Sequence, residues 1–232
     1  MIQYRYNPSS LKILDAPQVV FAIARIFEME EGPTASVLGT GFLLNKPGLI
    51  ATAAHVVGLN DDNLVVIIPA CQNMDDYQPA VRPLVTFMPA KIIAHDPIRD
   101  LAILSVPAIT AKANWKVSTS DNVQVGDTLV YYGFPHADSG RIVLTRHDAR
   151  VGAKILIPSP IIEVKYLVAN GLARPGQSGS PVLHQETGNL VAILSGAYAP
   201  PSGGRVFVGN TDPATIHQTT HAVSADYLVR MY

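Results

Sequence analysis

The chain has 232 residues, of which 48% are hydrophobic and 15% are charged; this composition excludes a disordered tail or a coiled coil and allows a substantial core. The 17 Lys and Arg residues nearly balance the 18 Asp and Glu residues, so a net charge of −1 leaves no basic excess for nucleic acid. The single cysteine, Cys71, excludes an internal disulfide and a cysteine-built zinc site, and no apolar run is long enough to cross a membrane.

Short apolar segments, rich in Val and Ile and separated by turn residues, recur along the chain. Many short strands with few helical patterns predict an all-β sandwich or barrel. The predicted strands are Val19–Phe27, Val37–Asn45, Leu49–Val57, Leu64–Pro69, Lys91–Ala94, Leu101–Val106, Leu129–Phe134, Arg141–Thr145, Lys154–Ile157, Ile161–Val168, Pro181–His184, Leu190–Leu194 and Val206–Val208.

The start of the chain shows no export signal. Residues 1–17 lack a basic stretch followed by a long apolar run, and the first apolar run stops at Arg25. We therefore expect a cytoplasmic protein. A secreted mature form, whose signal has been removed, is the alternative that the sequence leaves open.

Two segments interrupt the strand pattern. A polar stretch near the middle predicts a linker between two β units, and the last residues predict a helix, because Ser224 is a suitable N-cap and Leu228 and Tyr232 fall on one face. We expect a single domain. It is predicted to consist of a leader (1–17), a first β unit (18–110), a linker (111–128), a second β unit (129–220) and a C-terminal helix (221–232).

Three polar residues beside predicted strands suit nucleophilic catalysis. Ser178 stands between glycines in a tight turn, where its hydroxyl can be exposed and backbone N–H groups can stabilise an oxyanion. His55 follows an apolar strand, and Asp100 stands at the mouth of another, where a partly buried carboxylate needs a partner. Taken singly, each has an ordinary explanation: a structural turn, a hydrogen-bonded histidine and a strand-end cap. Asp96, just before a proline, fits a turn.

Taken together, the order His, Asp, Ser is far more specific, with the first two residues in one β unit and the serine in the other. The chain resembles the trypsin-like (chymotrypsin-fold) serine peptidases, and within them the bacterial non-zymogen Deg/HtrA-like and glutamyl-endopeptidase-like branches. The resemblance implies two antiparallel β-barrels with a short C-terminal helix, in agreement with the strand pattern. The matching pieces are Gly39-Thr-Gly41-Phe-Leu-Leu, Thr52-Ala-Ala-His55, Asp100-Leu-Ala-Ile-Leu, Gly176-Gln-Ser178-Gly-Ser-Pro181 and Leu190-Val-Ala-Ile-Leu-Ser195-Gly-Ala.

The resemblance also implies a role for each residue. Ser178 would attack the scissile carbonyl, His55 would move its proton, and Asp100 would orient the imidazole. The backbone N–H groups of Gly176 and Ser178 would form the oxyanion hole. Ser195 would hydrogen-bond Asp100 from behind, unless it is only a strand-end serine. No metal or cofactor is implied.

The specificity pocket follows from position in the family's motif. Leu172, at its base, offers no counter-charge for Lys or Arg, and Leu194 replaces the pocket histidine of the glutamyl branch. We therefore expect a small or medium apolar residue before the cleaved bond. Arg205 would favour an acidic residue if it pointed inward; the alternative is a solvated arginine. The expected substrate-binding residues are Leu172, Ala173, Ser195, Gly196 and Ala197.

Activation by N-terminal cleavage is not expected. Gln177 stands where the animal digestive enzymes carry an aspartate that pairs with a freed amine, and Gln177 is neutral. An activating protein partner, a homo-oligomer or a moving loop is expected to gate the site instead. The likeliest moving parts are the loop Gly133–Gly140 and the segment before Gly176. A constitutive enzyme of narrow specificity is the alternative.

The leading prediction is a serine endopeptidase that acts on a protein or peptide substrate through an acyl-enzyme. The alternative is a catalytically silent binding module of the same fold, or a partner-gated latent protease. A metal site at His217 and His221 lacks an evident third ligand, and an α/β-hydrolase would need its acid and histidine after the serine. Labelling of Ser178 by a fluorophosphonate probe would separate an enzyme from a binding module.

Overall fold

The computed structural model describes residues 16–29, 32–81, 84–198 and 219–232. Within these residues the chain forms thirteen strands and a few short helices, which confirms the all-β class. No helix in the described part is long and apolar enough to span a membrane. Three sequence predictions, those for Val206–Val208, Arg205 and His217, fall outside the described residues.

The first seven strands form one curled antiparallel sheet. They are β1 (Val20–Met29), β2 (Gly32–Leu43), β3 (Leu49–Thr52), β4 (Leu64–Ile67), β5 (Phe87–Pro89), β6 (Lys91–Asp96) and β7 (Leu101–Ser105). Their order in the sheet is β5-β4-β1-β2-β3-β7-β6, so the two edge strands are consecutive in the chain and only Ala90 separates them. A single residue can join the two edges only if the sheet curls back on itself, and its apolar residues fill the inside of the curl.

The remaining six strands close into a barrel, in the order β10-β13-β12-β11-β8-β9. They are β8 (Thr128–Gly133), β9 (Thr145–Pro158), β10 (Glu163–Asn170), β11 (Pro181–His184), β12 (Leu190–Tyr198) and β13 (Thr219–Ser224). Strands β9 and β10 also pair, so the ladder closes and leaves no edge. Leu129, Leu167 and Leu194 belong to the apolar cluster of this barrel. A curled sheet followed by a closed barrel is the architecture that the resemblance implies.

The structure corrects some of the predicted boundaries. The chain has two single turns of α-helix among the described residues, α1 (Ala16–Val19) and α2 (Ala54–Val57). The predicted strand Leu49–Val57 is therefore not one strand, because β3 ends at Thr52 and α2 follows. Residues 141–144 are not in a strand, and β9 begins at Thr145. The sequence analysis missed β5, which has only three residues, and β13, whose Thr-rich first half hides its alternation.

The C-terminal helix is shorter than predicted. It is a 3₁₀ helix over Ala225–Arg230, and Ser224 occupies the N-cap position as expected. Residues 221–224 are not helical because they belong to β13, which pairs with β10 on one side and with β12 on the other. Leu228 is fully buried, so the helix is held on the barrel by its apolar face.

Candidate active site

His55 and Asp100 lie at the ends of two neighbouring strands. His55 is in α2, the turn of helix that follows β3, and Asp100 directly precedes β7. Strands β3 and β7 are paired, and Thr52 lies opposite Ala102. In an antiparallel pair, the C-terminal end of one strand lies next to the N-terminal end of the other. His55, just after β3, and Asp100, just before β7, are therefore brought side by side.

The structure brings Asp100, and not Asp96, to His55. The Nδ1 atom of His55 lies 2.9 Å from Oδ1 and 2.8 Å from Oδ2 of Asp100, and the backbone N–H of His55 donates to Oδ1 at 2.9 Å. Asp96 instead accepts the backbone N–H groups of Ile98 and Arg99, as a turn residue does, and pairs with the Arg99 guanidinium.

The surroundings of Asp100 keep its carboxylate charged. Its side chain is only 18% exposed, and this burial raises its pKa. Hydrogen bonds from His55 and Ser195 act in the opposite direction and prevail, so the pKa lies below its ordinary value. A charged Asp100 favours the proton of His55 on Nδ1, which leaves Nε2, the other ring nitrogen, as an acceptor. The His55 side chain is half exposed.

Every carbonyl of the segment 175–178, which carries Ser178, accepts a hydrogen bond. Because C=O and N–H point in opposite directions across a trans peptide, these bonds also fix the directions of the N–H groups. Among the described residues, none accepts the N–H of Gly176 or of Ser178. The four bonds are His136 N–H to Pro175 O (2.8 Å), the Thr40 hydroxyl to Gly176 O (2.8 Å), Ser180 N–H to Gln177 O (3.1 Å) and Thr40 N–H to Ser178 O (2.8 Å).

Two glycines allow this loop to form. Gly176 and Gly179 have φ values of +91° and +86°, in the left-handed region that favours glycine. A Cβ atom on Gly176 would lie 2.2 Å from the carbonyl oxygen of Phe134, and one on Gly179 would lie 2.1 Å from that of Thr40. Both distances are far below a normal contact. The loop can therefore pack against the backbone of both β units only with glycine at these positions.

Ser178 itself is half-buried and lies close to β12. A Cβ atom on Gly196 would lie 3.8 Å from the Ser178 oxygen, so a glycine there keeps space beside the hydroxyl. Within the described part of the chain, Ser178 makes no side-chain hydrogen bond to His55. Catalytic hydrogen bonds are often long in the absence of substrate and tighten when it binds.

The predicted pocket residues divide into two groups. The Ser195 hydroxyl donates to Asp100, as expected for a serine behind the aspartate. Ala173 is buried, and its N–H donates to the hydroxyl oxygen of Thr220 at 2.8 Å; the same hydroxyl donates to Gly171 O at 2.6 Å. Thr220 therefore fastens the segment that holds Leu172 and Ala173 to β13. Thr220 could not be predicted from the sequence, because an isolated threonine belongs to no motif.

Two further predicted residues have clear positions. Ala197 pairs with Thr220 across the ladder between β12 and β13, and Leu172 is 39% exposed. Gln177 is fully buried, and its side-chain oxygen accepts the N–H of Arg174 at 2.7 Å. Gln177 therefore supports the nucleophile loop with a neutral hydrogen bond from within that loop.

This fold and these residues define a class of serine peptidase. The sequence profile of the family described as the trypsin-like peptidase domain matches residues 39–193, which include His55, Asp100 and Ser178. The chain therefore belongs to the trypsin-like peptidases, and the predicted family is confirmed.

Bacterial relatives agree with this assignment. A DegP-like protein of Rickettsia conorii, named as a periplasmic serine endoprotease, is 24% identical over 208 residues, which are 90% of this chain and 38% of the relative. A protein of the same name from Pseudomonas fulva is 27% identical over 173 residues, 73% of this chain and 31% of the relative. The chain thus spans less than two fifths of the length of these relatives.

Solved structures share the fold. The protease domain of MamO from Magnetospirillum magneticum has a TM-score of 0.64 at 17% identity, and the match covers 93% of this chain and 96% of that domain. An HtrA-type protease, AlgW with a decapeptide, also has a TM-score of 0.64, at 16% identity, with 93% of this chain and 63% of AlgW covered.

The predicted cytoplasmic location is wrong. The relatives from Rickettsia and Pseudomonas are named as periplasmic, which points away from the cytoplasm. The prediction depended on the missing signal pattern in residues 1–17. That absence does not discriminate, because a signal peptide is removed from the mature protein.

Proposed function

We propose that this chain is a serine endopeptidase that cleaves peptide bonds through an acyl-enzyme on Ser178. The observation that carries the proposal is a combination of two features. A partly buried, charged Asp100 holds Nδ1 of His55, and the loop of Ser178 carries two backbone N–H groups, those of Gly176 and Ser178, that no described residue accepts. The first feature activates a nucleophile, and the second receives the negative charge that its attack creates.

The proposed reaction has two halves. Nε2 of His55 takes the proton of Ser178 as the serine oxygen adds to the scissile carbonyl, and the N–H groups of Gly176 and Ser178 bind the resulting oxyanion. The intermediate then expels the amine, which receives the proton from His55, and an ester remains on Ser178. Water, activated by His55, cleaves that ester and restores the serine. Asp100 stays charged throughout and stabilises the imidazolium.

An extended peptide is the proposed substrate. Strand β11 pairs with β12 only as far as Ile193, and the backbone of Leu194 bonds Ser180 and Gly179. Strand β12 continues to Tyr198 and passes Ser178 at Gly196, so we propose that its residues beyond Leu194 pair with a bound strand. The solved structure of the HtrA-type protease AlgW is described with a decapeptide, which supports a peptide as the ligand of this chain. The preference for a small or medium apolar side chain before the cleaved bond is supported by Gly196, which leaves space beside the Ser178 hydroxyl, and by the absence of charge on Leu172 and Ala173.

We also propose where the enzyme acts and how it is controlled. The names of its relatives support a periplasmic or secreted location. The side-chain oxygen of Gln177 accepts the backbone N–H of Arg174, so Gln177 needs no freed N-terminal amine as a partner. This supports control by a protein partner or by self-association rather than by N-terminal cleavage. The loop Gly133–Gly140 is the proposed moving part, because His136 in it holds the carbonyl of Pro175.

The decisive experiment is labelling with a fluorophosphonate probe, together with a peptide hydrolysis assay. We expect the wild type to be labelled on one serine, and Ser178→Ala to lose both labelling and hydrolysis, the latter by about 10⁴- to 10⁶-fold. Ser180→Ala is the matched control. It removes a buried hydroxyl, two residues away, that has no hydrogen-bond partner among the described residues, so labelling and rate should stay within about twofold.

Each possible result has a clear meaning. Labelling that survives in Ser178→Ala contradicts the assignment of the nucleophile. A wild type that folds but is neither labelled nor active contradicts the enzyme and favours a silent binding module of the same fold.

A further inference from the structure

Thr40, a fully buried residue of β2, holds the nucleophile loop from the other β unit. Its hydroxyl donates to Gly176 O at 2.8 Å and accepts the N–H of Phe134 at 3.3 Å. Its backbone N–H donates to Ser178 O at 2.8 Å, and its carbonyl accepts the hydroxyl of Thr52 at 2.7 Å. Each polar group of Thr40 therefore has a partner, and two of these partners flank the proposed oxyanion hole.

The Thr40 hydroxyl differs from the other anchors of this loop. Three of the four carbonyls in the segment 175–178 are held by backbone N–H groups, and only Gly176 O is held by a side chain. The Gly176–Gln177 peptide group, to which that oxygen belongs, lies between the two peptide groups that carry the free N–H groups of Gly176 and Ser178. The middle peptide group shares a Cα atom with each neighbour, so the torsion angles at Gly176 and Gln177 relate its orientation to theirs, and holding it limits how far either neighbour can turn.

We infer that Thr40 is a positioning residue: its hydroxyl holds the middle peptide group and thereby helps to keep the two N–H groups on either side of it in the orientation that binds the oxyanion. The inference rests on the proposed function. Thr40 touches no reacting atom, and it acts through the carbonyl of Gly176. A purely structural hydrogen bond would affect only the stability of the fold. A positioning bond must also affect the stabilisation of the transition state, and this difference makes the inference testable.

The test is Thr40→Val, which keeps the shape of the side chain and removes the hydroxyl. The substitution leaves Gly176 O and the N–H of Phe134 unpaired in a buried place, so the middle peptide group loses its anchor. We expect kcat to fall about 10- to 100-fold and KM to stay within about threefold. This loss is smaller than the 10²- to 10³-fold typical of deleting an oxyanion donor outright.

A second readout isolates the oxyanion. In a peptidyl trifluoromethyl ketone, the Ser178 oxygen adds to the ketone carbon, its proton passes to His55, and the ketone oxygen becomes an oxyanion in the hole. Its inhibition constant should rise by the same factor as kcat falls, because both report the same N–H groups. A merely structural role would leave this constant unchanged for the folded fraction.

Three variants serve as controls. Thr40→Ser keeps the hydroxyl and should restore kcat to within about threefold of wild type. Ser224→Ala removes another fully buried hydroxyl, the acceptor of Ser120 N–H at 3.0 Å, and should lower only the unfolding midpoint. If Thr40→Val does not fold, Thr40→Cys, with a weaker donor of similar size, replaces it and is judged by the same two readouts.

The outcomes separate the inference from the proposed function. A wild type that is inert towards peptides and towards a fluorophosphonate refutes both. A reactive wild type that Thr40→Val matches in kcat and in inhibition by the ketone refutes the inference alone. A parallel loss in both readouts, restored by Thr40→Ser and absent in Ser224→Ala, establishes the inference.

Discussion

Replacing Asp100 by asparagine tests the pair at the centre of the proposed site. The residue has a φ of +55°, a left-handed conformation that asparagine adopts more readily than most residues. Asp100→Asn therefore preserves the backbone and changes only the chemistry of one oxygen. Alanine at this position would add backbone strain to the loss of the carboxylate, and the two effects could not be separated.

The size of the effect follows from the contacts. Oδ1 accepts the backbone N–H of His55, so the amide oxygen of the asparagine must stay there, and its NH₂ group replaces Oδ2 beside Nδ1 and Ser195. Nδ1 lies 2.8 Å from the atom that becomes NH₂ and 2.9 Å from the oxygen that stays. An NH₂ group donates, and a proton on Nδ1 would face it, so we expect Nδ1 to become the acceptor and the imidazole proton to move to Nε2. That nitrogen can then no longer receive the proton of Ser178. We expect kcat to fall by about 10⁴-fold, which is about 5 kcal/mol, with little change in KM.

The assay is the initial rate of peptide hydrolysis, with thermal unfolding of each variant measured beside it. Asp96→Asn is the control, because it removes a carboxylate of the same β unit that pairs with Arg99 and does not contact His55. Its rate should stay within about twofold of wild type. Hydrolysis by folded Asp100→Asn within tenfold of the wild-type rate would refute the reasoning, and so would an equal loss in Asp96→Asn.

Two further predictions concern the fold around the site. Gly176→Ala places a Cβ atom 2.2 Å from Phe134 O, so we expect a lower urea midpoint and at least a 100-fold slower hydrolysis. The control is Gly188→Ala, at φ +66° in open space, which should lower the free energy of unfolding by only about 1–2 kcal/mol and leave the rate unchanged. Equal effects of the two substitutions would contradict the close approach of Gly176 to Phe134. The pKa of Asp100 is lowered in the folded protein, so its charge stabilises the fold above the pKa of the unfolded chain, about 3.9, and this contribution is lost as the pH falls through the folded pKa. Urea unfolding at pH 7 and pH 3 should therefore show a smaller loss of stability in Asp100→Asn than in wild type, and an equal loss would show that Asp100 contributes nothing to the acid sensitivity.

The sequence predicts the parts of this molecule that depend on local pattern. Short Val- and Ile-rich runs predict β7 and β11, and the motifs around His55 and Ser178 predict a catalytic serine because few other folds need those residues in that order. The pattern fails where a run is ambiguous. Leu49–Val57 is apolar except for Thr52 and His55, and it contains no glycine or proline to mark the change from strand to helix after Thr52.

Residues that act across the fold were not predictable. Thr40 and Gly176 are 136 positions apart in sequence, and Thr220 and Ala173 are 47 apart. A threonine hydroxyl can hydrogen-bond several different groups near it, so its partner is known only when the two β units are in place. For the same reason the sequence could not decide whether Ser195 faces Asp100 or the pocket.

The place of β13 in the barrel has a consequence for protein synthesis. Strand β13 follows all the other described strands in the chain, yet it lies between β10 and β12, which are made earlier. Until residues 219–224 leave the ribosome, those two strands have open edges, and Thr220 cannot fasten the segment that leads to Ser178. The nucleophile is therefore translated well before the structure that holds it. A partly made chain therefore carries Ser178 in a barrel that is still open, and the bond from Ala173 to Thr220 forms only when β13 is complete.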